Sequence, residues 1–162
     1  MKKLLSLILA MTIVMSAFMG LGFSATAESA DTLAITVNGV TTNVPVGEKF
    51  TYTYALSDVN IINTEAVINY DSSKIQVTPV DEDDDVAYQA YIEQVFPVVY
   101  ETNLVFNIDL EDRILYNFSK VKGCKFADED ALACFEFTVL EAGETTIATT
   151  IYEMADINQE YY

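Results

Sequence analysis

Glu65-Ala66-Val67-Ile68-Asn69-Tyr70-Asp71-Ser72-Ser73-Lys74-Ile75-Gln76-Val77 is the stretch whose reading decides the fold. Ala66, Ile68 and Tyr70 alternate onto one face, and Val67 and Asn69 fall on the other, which is the period of a strand. Asp71, Ser72 and Ser73 follow at once. Their short polar side chains bond to nearby backbone N–H groups and turn the chain. Ile75 and Val77 then resume the alternation. The stretch is an extended segment that turns a corner inside an all-β domain.

The same period recurs on both sides of it. Toward the N-terminus, Phe50, Tyr52, Tyr54 and Leu56 alternate with Thr51 and Thr53, and Leu33, Ile35 and Val37 alternate before the turn signal Asn38-Gly39. Val46-Gly47-Glu48 marks a further turn. Toward the C-terminus, strands are expected at residues 98–100, 104–110 and 113–118, with Gly123 as a turn or bulge. Ala133, Phe135, Phe137 and Val139 share one face of the next strand, and Ala142-Gly143 leads into a last one over residues 145–151. One segment differs. Asp81-Glu82-Asp83-Asp84-Asp85 is a solvated charge run, and after it Val86, Ala90, Tyr91 and Val95 recur at helical spacing. Carboxylates favour a helix N-terminus, so one short helix is expected over residues 86–96, ended by Pro97. Many short strands with turns about every ten residues indicate a β-sandwich.

The first 27 residues read as a leader rather than as fold. Lys2 and Lys3 precede an apolar run over residues 4–23, and Ala25-Thr26-Ala27 is a small-x-small cleavage site, the layout of a secretory signal peptide. An uncleaved membrane anchor is the rival, because the run is about long enough to span a bilayer. Cleavage leaves residues 28–162 as one domain that is secreted, extracellular or held at the cell surface. The whole chain has a formal net charge of −17. A surface that acidic repels nucleic acid and anionic membrane and keeps the protein soluble. Cys124 and Cys134 leave two states open. Export permits a disulfide worth about 2–3 kcal/mol, and two free thiols are the alternative.

Little in the sequence carries chemistry. It has no histidine and no tryptophan, which excludes Ser–His and Cys–His nucleophile pairs and any His-containing metal site. Paired carboxylates are unavoidable in so acidic a chain and single out no cleft. Asp81, Asp83 and Asp85 imitate the start of a calcium loop, but Val86 stands where its glycine belongs and Ile92 where its glutamate belongs. A solvated loop is the simpler reading. No enzyme activity and no cofactor are expected. Asn117-Phe118-Ser119 matches a glycosylation sequon inside a strand.

Several segments, in order, resemble a cohesin domain, the receptor module of cellulosome scaffoldins. Val46-Gly47-Glu48 before the Phe50 strand resembles the family's V-G-[DE] entry. Residues 66–75 resemble its Tyr-Asp strand and corner. Ile114-Leu115-Tyr116-Asn117-Phe118-Ser119 resembles a later strand, and Phe135-Glu136-Phe137-Thr138-Val139 followed by Gly143-Glu144-Thr145-Thr146-Ile147 resembles the strands after it. The segment Tyr91 to Tyr100, with Phe96-Pro97, resembles cohesin-like sequences of gut anaerobes. The likeness spans residues 33–157.

The resemblance implies a nine-stranded, jelly-roll-like sandwich. It also implies a non-catalytic function in polysaccharide catabolism: a sheet face binds a dockerin, a small helical module that itself carries the calcium. Asn63 and Glu65 occupy the positions of an Asn-x-Asp that contacts the dockerin, and both point out of the sheet if Ala66, Ile68 and Tyr70 point in. Asn117, Lys120 and Gly123 occupy positions where the family has an apolar residue, an acid and a glycine. Asn117 and Lys120 depart from that pattern, which bears on which dockerin is bound. The family also has a last strand that pairs near the first. Here the sequence ends at Tyr161-Tyr162, so that strand is expected to be missing, through truncation, and the N-terminal strand to keep an open edge. Two other functions share the architecture. A carbohydrate-binding module needs an aromatic platform, for which Tyr88, Tyr91 and Tyr100 are the candidates, and an adhesin-type domain needs no dedicated ligand.

Overall fold

Alternation along the sequence becomes two faces of two sheets. The computed structural model describes residues 31–158, so the leader expected at residues 1–27 lies outside it. Nine strands and one helix follow in the order β1 (Thr32–Val37), β2 (Val40–Pro45), β3 (Lys49–Leu56), β4 (Val59–Asn69), β5 (Ile75–Val77), α1 (Asp85–Val95), β6 (Asn103–Asn107), β7 (Arg113–Phe126), β8 (Asp130–Val139) and β9 (Gly143–Asp156). A six-stranded sheet has the order β2-β1-β9-β4-β7-β6, and a three-stranded sheet has the order β3-β8-β5. This is the all-β, jelly-roll-like sandwich with one inserted helix that the sequence indicated.

The inward residues are those the period selects. Ala66 and Ile68 of β4, Ile114, Tyr116 and Phe118 of β7, and Ala133, Phe135, Phe137 and Val139 of β8 are all buried in one core. Tyr70, at the corner after β4, meets Phe137 edge-on with ring centres 5.2 Å apart, and Phe50 stacks on the same ring at 5.6 Å. The corner itself is held by Asp71, whose Oδ1 accepts from the backbone N–H of Ser73 at 3.0 Å and from its hydroxyl at 2.6 Å. At the Asn38-Gly39 hairpin both residues have positive φ, +48° and +79°, the pair of left-handed conformations that a tight hairpin turn between twisted strands requires.

The helix falls where the spacing put it, and its cap is local chemistry. Asp84 Oδ1 accepts from the backbone N–H of Val86 and Ala87, both at 3.0 Å, which satisfies two of the free donors of the first turn. The helix closes the sandwich where the three-stranded sheet is too narrow to cover its partner. Val95, Phe96 and Val99 enter the core. The Phe96 ring touches Phe106 of β6 and Tyr116 of β7 on one sheet, and Phe135 of β8 on the other.

Three expectations need correction. Residues 98–100 form no strand. They continue the chain past α1 as turns, with the N–H groups of Val99 and Tyr100 both bonded to Phe96 O. The N-terminal strand also has no open edge: β1 pairs with β2 on one side and, in parallel, with residues 143–147 of β9 on the other. The last strand runs on to Asp156 instead of stopping at Ile151, so its first part flanks β1 while residues 148–156 flank β4. Of the two states left open for the cysteines, the structure has the two free thiols. Cys124 points into the core from the large sheet, whereas Cys134 points outward from the small one, its sulfur 3.5 Å from Thr53 Oγ1. Opposite parity on opposite sheets keeps a disulfide from forming.

Candidate functional site

The central strands of the large sheet turn alternate residues outward. On β4 these include Asn63, Glu65 and Asn69, with buried Thr64 between the first two. Register then fixes their neighbours. Glu65 stands opposite Asn117 of β7 and Glu153 of β9, and Val105 of β6 continues the row. Asn63 stands opposite Ser119 and Ala155, and Asn103 continues that row. The next row holds Asn107, Leu115, Val67 and Thr150. The face is therefore a polar grid with a few apolar members, Val105 at 72% and Leu115 at 38% exposed among them.

Two departures from regular pairing shape this grid. On β9, Glu65 pairs with Glu153 and Ala66 with Ile151, leaving Tyr152 as an extra residue that stands out into solvent. On β7, residues 120–123 lie between Ser119 and Cys124, whereas β4 has only Ile62 between their partners Asn63 and Ile61. The surplus bulges. It carries Lys120, Val121 and Lys122 outward, Val121 to 94% exposure. Gly123 closes the bulge at φ +74°, against the side chain of Asn60.

Asn63 is not a free surface side chain. Its Nδ2 donates to Glu153 Oε1 at 2.5 Å, and the Glu153 carbonyl accepts from Thr64 Oγ1 at 3.0 Å. The Asn63 Oδ1, and that of Asn60, are buried without a hydrogen-bond partner.

Of the five residues the sequence pointed to, three come together: Asn63, Glu65 and Asn117 occupy neighbouring positions of two rows. Lys120 sits beside them in the bulge. Gly123 lies farther along, and the structure gives it a backbone task. Sequence reasoning missed Glu153, Ser119, Val105 and Val121. Glu153 was lost with the end of β9, because the bulge at Tyr152 puts two exposed residues in succession and breaks the period of two. Two of the three aromatic candidates for a carbohydrate platform pack on the fold itself. Tyr88 stacks on Phe106 at 6.1 Å, and Tyr91 packs on the same ring at 6.3 Å with its hydroxyl buried.

A groove of about 440 Å³ opens at one end of the sandwich, lined by Tyr70, Ile75, Val77, Ile108 and Leu110 among others. Its two carboxylates, Asp109 and Glu111, are both exposed at the rim. Among the described residues no group of three or more His, Cys, Asp or Glu side chains is placed to hold a metal ion, and no helix is long and apolar enough to cross a membrane.

No family model and no curated protein matches the sequence. Solved structures do match. A non-cellulosomal cohesin from the hyperthermophilic archaeon Archaeoglobus fulgidus superposes with a TM-score of 0.53 at 12% identity, covering 80% of this chain and 80% of that one. The cohesin CaCohA2 from Clostridium acetobutylicum gives 0.53 at 16% identity, covering 80% and 79%. The sixth cohesin of scaffoldin B from Acetivibrio cellulolyticus, solved in complex with a Cel5 dockerin mutant, gives 0.51 at 15% identity, covering 81% and 89%. The chain has the cohesin fold.

Proposed function

We propose, with the cohesin fold as premise, that this chain is a secreted, non-catalytic binding module whose partner is a dockerin-type protein. The docking surface is the outward face of β6, β7, β4 and β9. One observation carries the reading: Asn63, Glu65 and Asn117, taken from the sequence as contact residues, lie side by side on the adjacent strands β4 and β7 of the six-stranded sheet. A sheet face suits a rigid helical partner because its backbone is fully paired within the sheet and only side chains need adjust. The polar rows supply hydrogen bonds and the few exposed apolar side chains supply the contact core, the composition of a non-obligate interface. Calcium enters only as the partner's own structural ion. Assembly of polysaccharide-degrading enzymes is the role that such a module would serve.

The test is capture. Immobilised protein is exposed to culture supernatant of the source organism, with calcium and with chelator. Calcium-dependent retention of a protein with paired calcium-loop repeats, abolished by the double substitution Asn63→Ala/Glu65→Ala, is the expected result. Retention unchanged by that substitution would remove the face from consideration, and retention on insoluble cellulose instead would favour a carbohydrate-binding domain.

A further inference from the structure

The docking face carries charge of both signs, separated in space. Glu65 and Glu153 are register partners on adjacent strands, both exposed. Two carboxylates in that relation repel. Asn63 bonds one oxygen of Glu153, and among the described residues no Lys or Arg forms an ion pair with either glutamate. One polar row away is the β7 bulge. Lys120 and Lys122 project from it, and Lys125 follows on the strand beyond, all exposed. These are three of the six basic residues among those described. The other three are each committed to a carboxylate: Lys49 to Glu136, Lys74 to Glu141 and Arg113 to Asp112. In a chain of net charge −17, the unpaired cations among the described residues are gathered at one end of one face, and an unrelieved carboxylate pair lies farther along the same face.

We propose that this pattern selects and orients the partner. It rests on the docking reading above and adds the partner's chemistry to it. The partner presents a Lys or Arg over Glu65 and Glu153, and carboxylates over Lys120, Lys122 and Lys125, with an apolar pocket taking Val121 between them. A cation between the two glutamates relieves a repulsion that exists only in the free protein. Reversing the partner on the face would set like charges against each other at both ends, so only one orientation binds. A second copy of this chain is a poorer occupant, because two bodies of net charge −17 repel.

The experiment uses a yeast-displayed library built on a single calcium-loaded two-helix module. The exposed positions of its first helix are varied among Lys, Ala and Glu, and the library is sorted against the purified protein in calcium. The expected binders carry Lys toward one end of the helix and Glu toward the other, each enriched about tenfold, a discrimination within reach of close charge pairs. Sorting against Glu65→Gln/Glu153→Gln should remove the Lys enrichment and leave the Glu enrichment. Sorting against Lys120→Glu/Lys122→Glu should do the reverse. Binders with no charge bias that are still lost on Asn63→Ala/Glu65→Ala would overturn the proposal and leave the docking face standing. No binders, or binders indifferent to that double substitution, would overturn both. A salt-sensitive dimer in sedimentation would overturn it in favour of self-association.

Discussion

Gly123 and Asn60 meet where a side chain at Gly123 has no room: a Cβ built there would lie 2.1 Å from Asn60 Oδ1. Gly123 also holds φ at +74°, which a residue with a Cβ adopts only under strain. Gly39 and Gly47 share the positive φ but have nothing within 4 Å. The three glycines therefore separate two costs. Gly39→Ala and Gly47→Ala should each cost about 1 kcal/mol for the conformation alone. Gly123→Ala should cost more, about 2–3 kcal/mol with the clash added. Urea titration of the three variants makes the comparison, and equal losses would mean that Asn60 moves aside freely.

Glu65 and Glu153 predict an exchange of binding for stability. Glu65→Gln removes a like-charge cross-strand pair and should stabilise the fold by about 0.2–1 kcal/mol. Glu153→Gln removes the same repulsion but weakens the bond from Asn63 Nδ2, so its gain should be smaller. The gain should fade at high salt, where exposed charges are screened. Denaturation at low and high ionic strength reads both effects, and a loss of stability in Glu65→Gln would show that its carboxylate has a structural partner.

Phe96 is the clearest test of how the inserted helix belongs to the fold. Its ring is fully buried and bridges both sheets through Phe106, Tyr116 and Phe135. Phe96→Ala should cost about 3–5 kcal/mol. Val86, on the same helix but 80% exposed, should tolerate Ala within about 0.5 kcal/mol. A drop below about 1 kcal/mol for Phe96→Ala would mean that the core closes without the insertion.

These residues also mark what could be read in advance. The corner at Asp71 was legible because periodicity and turn chemistry are both local, and α1 was legible because a run of carboxylates, favoured at a helix N-terminus, precedes a helical repeat. Phe96 was read as the helix end and as part of a family likeness but not as core, since nothing local says that a ring will reach between two sheets. The length of β9 was hidden by the bulge at Tyr152, and Glu153 with it. The cysteine pair stayed open because its answer lies in parity and sheet assignment. Cys124 is inward on one sheet and Cys134 outward on the other, and neither fact is visible until the strands are paired. Asn63, Glu65 and Asn117 were found through family likeness, and strand pairing then placed Asn117 beside Glu65.

The buried tyrosines set the alkaline limit of the fold. Tyr52 crosses the sandwich to bond its hydroxyl to Thr149 Oγ1. Burial pushes its pKa up to about 12, an effect the Thr149 bond only partly offsets, and burial likewise pushes Tyr91 to about 12. Burial also raises Tyr54 and Tyr70, and Tyr116 well above the ordinary value. A tyrosine in the unfolded chain titrates near 10. Between about pH 10 and 12 the folded state therefore still holds protons that the unfolded state has lost, and stability falls as pH rises through that window. The contribution is intact below about pH 10, and full titration of Tyr52 removes about 2–3 kcal/mol. Tyr52→Phe should lose about 1 kcal/mol at neutral pH with its hydrogen bond, yet show a shallower alkaline decline than the parent. Urea midpoints measured from neutrality to about pH 11.5, with tyrosinate absorbance followed alongside, test the sign and the slope. Parallel declines in the two proteins would assign the alkaline loss to the remaining tyrosines.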